Sequence, residues 1–164
     1  MKKYIIKGPT NGISGTININ GAKNSCLPLM AASILFKDKV ILKNVPLVKD
    51  VITMKNLLIS LGSKVEILKT NKMIIKNSKP HKRRVPYKLV STMRAGVLTM
   101  GSLLGRYQKK KIYVAKGGGC SLGIRDINYH LSGFESLAAE HRLEKGYVRI
   151  CLLYTSDAAD DNAG

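Results

Sequence analysis

The feature that most narrows the fold is a repeat. "DVITMKNLLISLG" at 50–62 and "DINYHLSGFESLA" at 126–138 superpose at an offset of 76 residues, which pairs Asp50 with Asp126, Val51 with Ile127, Ser60 with Ser136 and Leu61 with Leu137. The β-branched stretches ahead of them, 40–42 and 112–114, superpose at an offset of 72. Self-similarity at a fixed period is the mark of one supersecondary unit used more than once. The second copy has therefore gained about four residues between its middle strand and its second helix.

Hydrophobic periodicity fills in each copy. "KYIIKG" and "GTININ" predict short strands, and "NSCLPLMAASILF" (24–36) predicts a buried helix with Pro28 in its first turn. "KVILKN" predicts a strand. Residues 50–62 predict an amphipathic helix with Asp50 as N-cap and Gly62 as C-terminal stop. "KVEIL" and "KMIIKN" predict a hairpin-like pair. The order then recurs as a buried helix over 90–104, a strand at "KKIYVA", an amphipathic helix over 126–138 and two short strands in "EHRLEKGYVRI". The expected fold is α/β, built from βαβαββ units. The second copy carries its extra length in a glycine-rich connection, "KGGGCSLGIRD" (116–126). Long loops on rigid units are where function concentrates.

Composition limits what such a fold does. The 164 residues carry a net charge of +18, which by itself suggests a polyanionic partner. The lysines are spread along the chain, however, and the densest clusters are "KPHKRR" at 79–84 and "KKK" at 109–111. Tryptophan is absent, and the aromatic residues do not interleave with these clusters as stacking platforms would. The charge then reads either as a solvated surface built with lysine or as a match to a small anionic substrate, and neither nucleic acid nor membrane is the expected partner. No apolar run approaches the roughly 18 residues needed to cross a bilayer. "MKKYIIKGPTNG" is too short an apolar segment for a signal-peptide core, which reads as cytoplasmic. The three cysteines, Cys26, Cys120 and Cys151, are too few and too widely spaced for a disulfide framework or a zinc site.

The ending differs in character. "CLLYTSDAADDNAG" (151–164) is rich in alanine and aspartate where the rest is rich in lysine, and "CLLYTSDAADD" resembles translated sequencing-adapter DNA. Residues 151–164 are therefore expected to be non-native, with the genuine chain stopping near Ile150 in mid-protein.

Several residues have the chemistry for a site. Lys23 and Asn24 open the first buried helix, and Arg94 lies in the opening turn of the second. Helix N-termini attract phosphate and carboxylate, and a cation beside each sharpens that preference. Cys26, inside an apolar helix, reads as a small buried hydrophobe. Cys120 is either another such residue or a thiol made reactive by nearby Arg125. His81 and His141 stand in polar contexts, and His130 on an amphipathic helix. GxxxxGK[ST] and GxGxxG are both absent.

Taken together, "KGPTNGISGTININGAKNSCLPLMAASIL", "NVPLVKDVITMKNLLISLGSKVEI", "VSTMRAGV" and "GGGCSLGIRDINYHLSGFESL" resemble the enolpyruvyl transferase family, and within it the transferases that act on UDP-N-acetylglucosamine. The resemblance covers residues 1 to about 150 and corresponds to roughly the first third of such an enzyme. It implies an inside-out α/β barrel of two lobes, each of three βαβαββ units, of which this chain supplies about two. Residues 1–20 would be strands that pair with the other lobe, and 21–150 a partial lobe.

The resemblance implies addition of the sugar 3′-hydroxyl to carbon 2 of phosphoenolpyruvate, then loss of phosphate, as the first committed step of peptidoglycan synthesis. It implies no metal or organic cofactor. Lys23 and Asn24 match the family's phosphoenolpyruvate site, and Arg94 matches the arginine serving the anionic substrates. Cys120 matches the loop cysteine that donates a proton, and Arg125 the arginine shared between phosphoenolpyruvate and uridine. Asp126, Ile127, Asn128 and Tyr129 match the uridine-contacting segment, although Asp126 replaces the family's usual proline and Asn128 its usual aspartate. The other lobe would give an aspartate base and further arginines. The shikimate-pathway carboxyvinyltransferase resembles the scaffold but lacks the cysteine loop. A basic polyanion-binding module is the alternative from another class.

Overall fold

A computed structural model describes residues 3–8, 12, 14–78, 81–90, 93–108, 110–115 and 127–152. The first unit runs α1 (Lys23–Ala32), a 3-10 turn (Ser33–Leu35), β1 (Val40–Leu42), α2 (Lys49–Leu61), β2 (Lys64–Ile67) and β3 (Met73–Lys76). The second runs β4 (Arg84–Val85), the short helix α3 (Tyr87–Val90), a 3-10 turn (Arg94–Leu98) leading into α4 (Thr99–Arg106), β5 (Ile112–Ala115), α5 (Asn128–Ser136), β6 (Ala139–Glu144) and β7 (Tyr147–Leu152).

Each unit has its own sheet. The first is ordered β1-β3-β2 and the second β4-β5-β7-β6. Laying β1, β2 and β3 on β5, β6 and β7 makes the two orders identical, so the repeat in sequence is a repeat in topology. The second sheet has one more strand because β4 pairs parallel with β5, Arg84 beside Tyr113 and Val85 beside Val114. The remaining pairings are antiparallel.

Alternation decides which strand residues face the core. Met73 and Ile75 of β3, Ile112 and Val114 of β5, and Val148 and Ile150 of β7 are buried. The helices lie inside these sheets: α1 packs on both α2 and α4, α2 backs β2, and α4 backs β5 and β7. Met30, Ile34, Met54, Leu57, Leu58, Leu61, Met100 and Leu103 fill the space between with no exposed surface. Fully burying one such side chain contributes roughly 1.5–3 kcal/mol.

Between the units lies a polar joint centred on His81, which is buried (5% exposed). Ser63 Oγ donates to Asn77 Oδ1 at 2.7 Å, and His81 Nε2 lies 2.9 Å from Ser63 Oγ and 3.1 Å from Asn77 Oδ1. On the other side Tyr107 Oη accepts the His81 backbone N–H at 2.6 Å and lies 2.9 Å from Nδ1. A neutral ring with its proton on Nε2 satisfies every partner, since Tyr107 then donates to Nδ1. Burial, and secondarily the Arg106 guanidinium, lower the His81 pKa to about 4. Asn77 Nδ2 donates to the carbonyls of Ser33 and Phe36, and Arg106 donates to those of Ile34, Phe36 and Asn77. These bonds satisfy backbone acceptors at the end of the first 3-10 turn.

The structure revises several expectations. Neither "KYIIKG" nor "GTININ" forms a strand in the described residues, and Tyr4, Ile5, Ile6, Ile17 and Ile19 are exposed. A strand exists only where a neighbour completes its ladder, and among the described residues none pairs with these stretches. The helix expected over 24–36 starts at Lys23 and tightens to 3-10 at Ser33, so Pro28 is in the second turn. Only one face of it is buried; Leu29, Leu35 and Phe36 stay exposed. The helix expected over 90–104 is divided, with a 3-10 turn ahead of α4. Val48 rather than Asp50 is the N-cap of α2, while Gly62 closes it at φ 123° as expected. Strand β7 runs through Cys151 and Leu152, with Leu152 paired to Ala139.

Candidate functional site

The opening of α1 is positioned by a clamp on the residues before it. Asn44, in the left-handed region at φ 53°, donates from Nδ2 to the Ile19 carbonyl at 3.2 Å. Gly21 lies so close to the Asn44 carbonyl oxygen that a Cβ there would collide with it. Glycine is thus required by close approach of two backbones. Ala22 follows in extended geometry as N-cap, and Cys26 N–H donates to its carbonyl at 3.0 Å.

Lys23 and Asn24 are the first two helical residues, and both are exposed. Lys23 Nζ forms an ion pair with Asp50 Oδ2 at 2.9 Å, with both side chains partly open to solvent. Asp50 is in the first turn of α2, so the pair joins the N-terminal ends of two packed helices. An acidic group there is favoured by the helix dipole. The arrangement leaves a lysine ammonium, two helix N-termini and one carboxylate at one end of the helix layer.

Arg94 opens the 3-10 turn that packs against α1, as the sequence suggested for the start of the second buried segment. Ile127 is half-buried as the N-cap of α5; Asn128 and Tyr129 begin that helix and are exposed. Cys120, Arg125 and Asp126 lie outside the described residues. The structure therefore brings Lys23, Asn24 and the Arg94 segment to neighbouring elements. Cys26 is buried and its thiol pKa is raised by desolvation, which suits a core residue rather than a nucleophile.

Sequence reasoning missed Asp50 as a partner of Lys23. The signal was present, since both residues open predicted helices, but a separation of 27 residues hides which helices share an end. His81 does stand among polar groups, but buried, and of the three histidines only His130 is exposed. Among the described residues, no group of His, Cys, Asp and Glu is arranged to hold a metal ion. No helix there is long and apolar enough to cross a membrane.

Comparison with known proteins adds to this geometry. Residues 7–156 match the family model described as EPSP synthase (3-phosphoshikimate 1-carboxyvinyltransferase). Curated relatives called UDP-N-acetylglucosamine 1-carboxyvinyltransferase include one from Magnetococcus marinus, 45% identical over 92% of this chain, and one from Pelagibacter ubique, 43% identical over 90%. The match spans 35% and 34% of those two proteins, so the chain covers about a third of their length. Among solved structures, the enolpyruvyl transferase NikO from Streptomyces tendae superposes with a TM-score of 0.71 over 85% of this chain and 30% of its own, at 15% identity. That likeness is one of fold.

Proposed function

The chain belongs to the EPSP synthase family, and on that premise we propose that it is the first part of a cytoplasmic UDP-N-acetylglucosamine 1-carboxyvinyltransferase. The observation that carries this reading is the 39–45% identity, over about nine-tenths of the chain, to relatives of that one specificity. The shikimate-pathway activity named in the family description is the rival, and "GGGCSLGIRD" argues against it.

In the proposed reaction the 3′-oxygen of UDP-N-acetylglucosamine bonds to carbon 2 of phosphoenolpyruvate while carbon 3 gains a proton. The hydroxyl proton goes to a base supplied by the rest of the enzyme. The tetrahedral adduct then loses phosphate as carbon 3 gives a proton back, leaving the enolpyruvyl ether. Lys23 and Asn24 hold the phosphoenolpyruvate phosphate at the α1 N-terminus, where fixed donors stabilise charge without reorganising. Asp50 keeps Lys23 extended across that helix end until the anion arrives. Cys120 donates the proton to carbon 3, Arg94 and Arg125 bind the anionic groups, and residues 126–129 line the uridine. Residues 1–20 would find strand partners in the second lobe, which would also cover the exposed Ile5, Ile6, Ile17 and Ile19.

The test is a chimera joining residues 1–150 to the remaining two-thirds of the Magnetococcus marinus relative, followed by phosphate release. Release from phosphoenolpyruvate that requires UDP-N-acetylglucosamine supports the proposal. Release that requires shikimate 3-phosphate instead, or none from a chimera that melts cooperatively, overturns it.

A further inference from the structure

The described parts of the two basic clusters, 81–84 and 110–111, come together in the fold. Parallel pairing of β4 with β5 sets Arg84 beside Tyr113, and Tyr113 N–H donates to the Arg83 carbonyl at 2.7 Å. Lys110 and Lys111 precede β5 and so arrive next to Lys82 and Arg83. Around this junction is an open cavity of about 1150 Å³ lined by His81, Lys82, Arg83, Arg84, Pro86, Lys110, Lys111, Tyr113 and Tyr147. It shares no residue with the Lys23 site.

Its charge is uncompensated. Among the described residues, five cationic side chains line it and no carboxylate does. The ion pairs among the described residues are Lys23–Asp50, His141–Glu135, Arg142–Glu140 and Arg149–Glu144, none of which uses a cation of this cavity. Glu144 lines an adjoining hollow with Arg84, but its Oε1 is already 2.7 Å from Arg149 Nε. Like charges gathered without counter-ions repel one another, and a multiply charged anion relieves that repulsion.

The aromatic residues fix the cavity's most specific group. Tyr113 and Tyr147 are diagonal neighbours on the outer face of the sheet, because Tyr113 pairs with Arg149 and Tyr147 with Ala115. The Arg84 guanidinium carbon lies 4.1 Å from the Tyr147 ring centroid and 5.8 Å from that of Tyr113. A guanidinium set over a ring face keeps donors for an anion, and its planar fork suits phosphate oxygens. The lysines add mobile point charges around it. A nucleic-acid strand would need open ring faces for its bases, but Arg84 occupies the face of Tyr147.

We propose that this cleft binds a linear oligophosphate, either free or as the tail of a nucleotide. The test is calorimetric titration of the 164-residue chain at 0.15 M KCl with tripolyphosphate, ATP and a single-stranded oligothymidylate. Tripolyphosphate and ATP are expected to bind. Equal affinities assign recognition to the phosphate chain alone, and a tenfold advantage for ATP assigns the nucleotide; both support the proposal. The R84Q/K110Q double variant should weaken binding at least tenfold, and R84K about threefold, with unchanged melting temperature. K37Q/K39Q, which removes the same charge elsewhere, should weaken it by no more than twofold. Equal weakening by the two double variants, no binding of either phosphate, or oligothymidylate binding more tightly than both would overturn the proposal.

Discussion

Lys23 and Asp50 meet at 2.9 Å across the N-terminal ends of α1 and α2, a contact between two residues half open to water. Such pairs contribute roughly 0.2–1 kcal/mol to stability, and less at high salt. D50N and K23M should therefore each lower stability in urea melts by no more than about 1 kcal/mol. In the proposed chimera, K23M should reduce turnover by about a hundredfold or more if the ammonium holds the substrate phosphate as proposed. A K23M chimera with full activity would remove Lys23 from the site.

His81 gives the chain a pH-dependent stability of predictable sign. Its folded pKa, about 4, is below the ordinary 6.5, so the unfolded chain takes up a proton that the folded chain refuses. The contribution is complete above pH 6.5 and is lost as pH falls toward 4. The slope approaches about 1.4 kcal/mol per pH unit within that window. Urea melts at pH 7, 6 and 5 should show it, and H81Q should flatten it.

Arg106 should act on the same curve. R106A leaves the carbonyls of Ile34, Phe36 and Asn77 without their charged donor, at a cost of about 1.5–3 kcal/mol. It also removes the lesser of the two causes that depress His81, so the acid end of the window should rise while its upper edge near 6.5 stays, and the total loss of stability with acid should shrink. R106K restores charge but not the planar fork, and should recover only part of the stability.

Two glycines should respond oppositely to alanine. G21A drives a methyl group into the Asn44 carbonyl and should cost about 1–3 kcal/mol as the clamp shifts. G133A, in α5 with nothing within 4 Å of the added carbon, should gain about 0.8–1 kcal/mol from helix propensity. Thermal melts of the two variants check both signs.

What was legible in the sequence is what local rules decide. The hairpins β2–β3 and β6–β7, the Gly62 stop and the recurring unit all follow from periodicity and turn chemistry within short windows. What was hidden depends on partners far along the chain. His81 reads as one more member of "KPHKRR" until Ser63, Asn77 and Tyr107 close around it. "KYIIKG" has strand composition, but composition supplies only one side of a ladder. Asp50 is an obvious helix-opening residue, yet which lysine it meets depends on how α1 and α2 pack. The meeting of 82–84 with 110–111 requires the parallel β4–β5 pairing, which no hydrophobic pattern specifies.

Because β1-β3-β2 and β5-β7-β6 share one order, the span after β1 and the span after β5 leave their sheets at equivalent corners. At the first corner, 43–48 turns directly into α2, held by Asn44; at the second, 116–127 separates Ala115 from α5. Chain can thus be added or removed at this corner without shifting strand register. The fold has a corner at which two copies of one unit differ in sequence length while keeping the same sheet order.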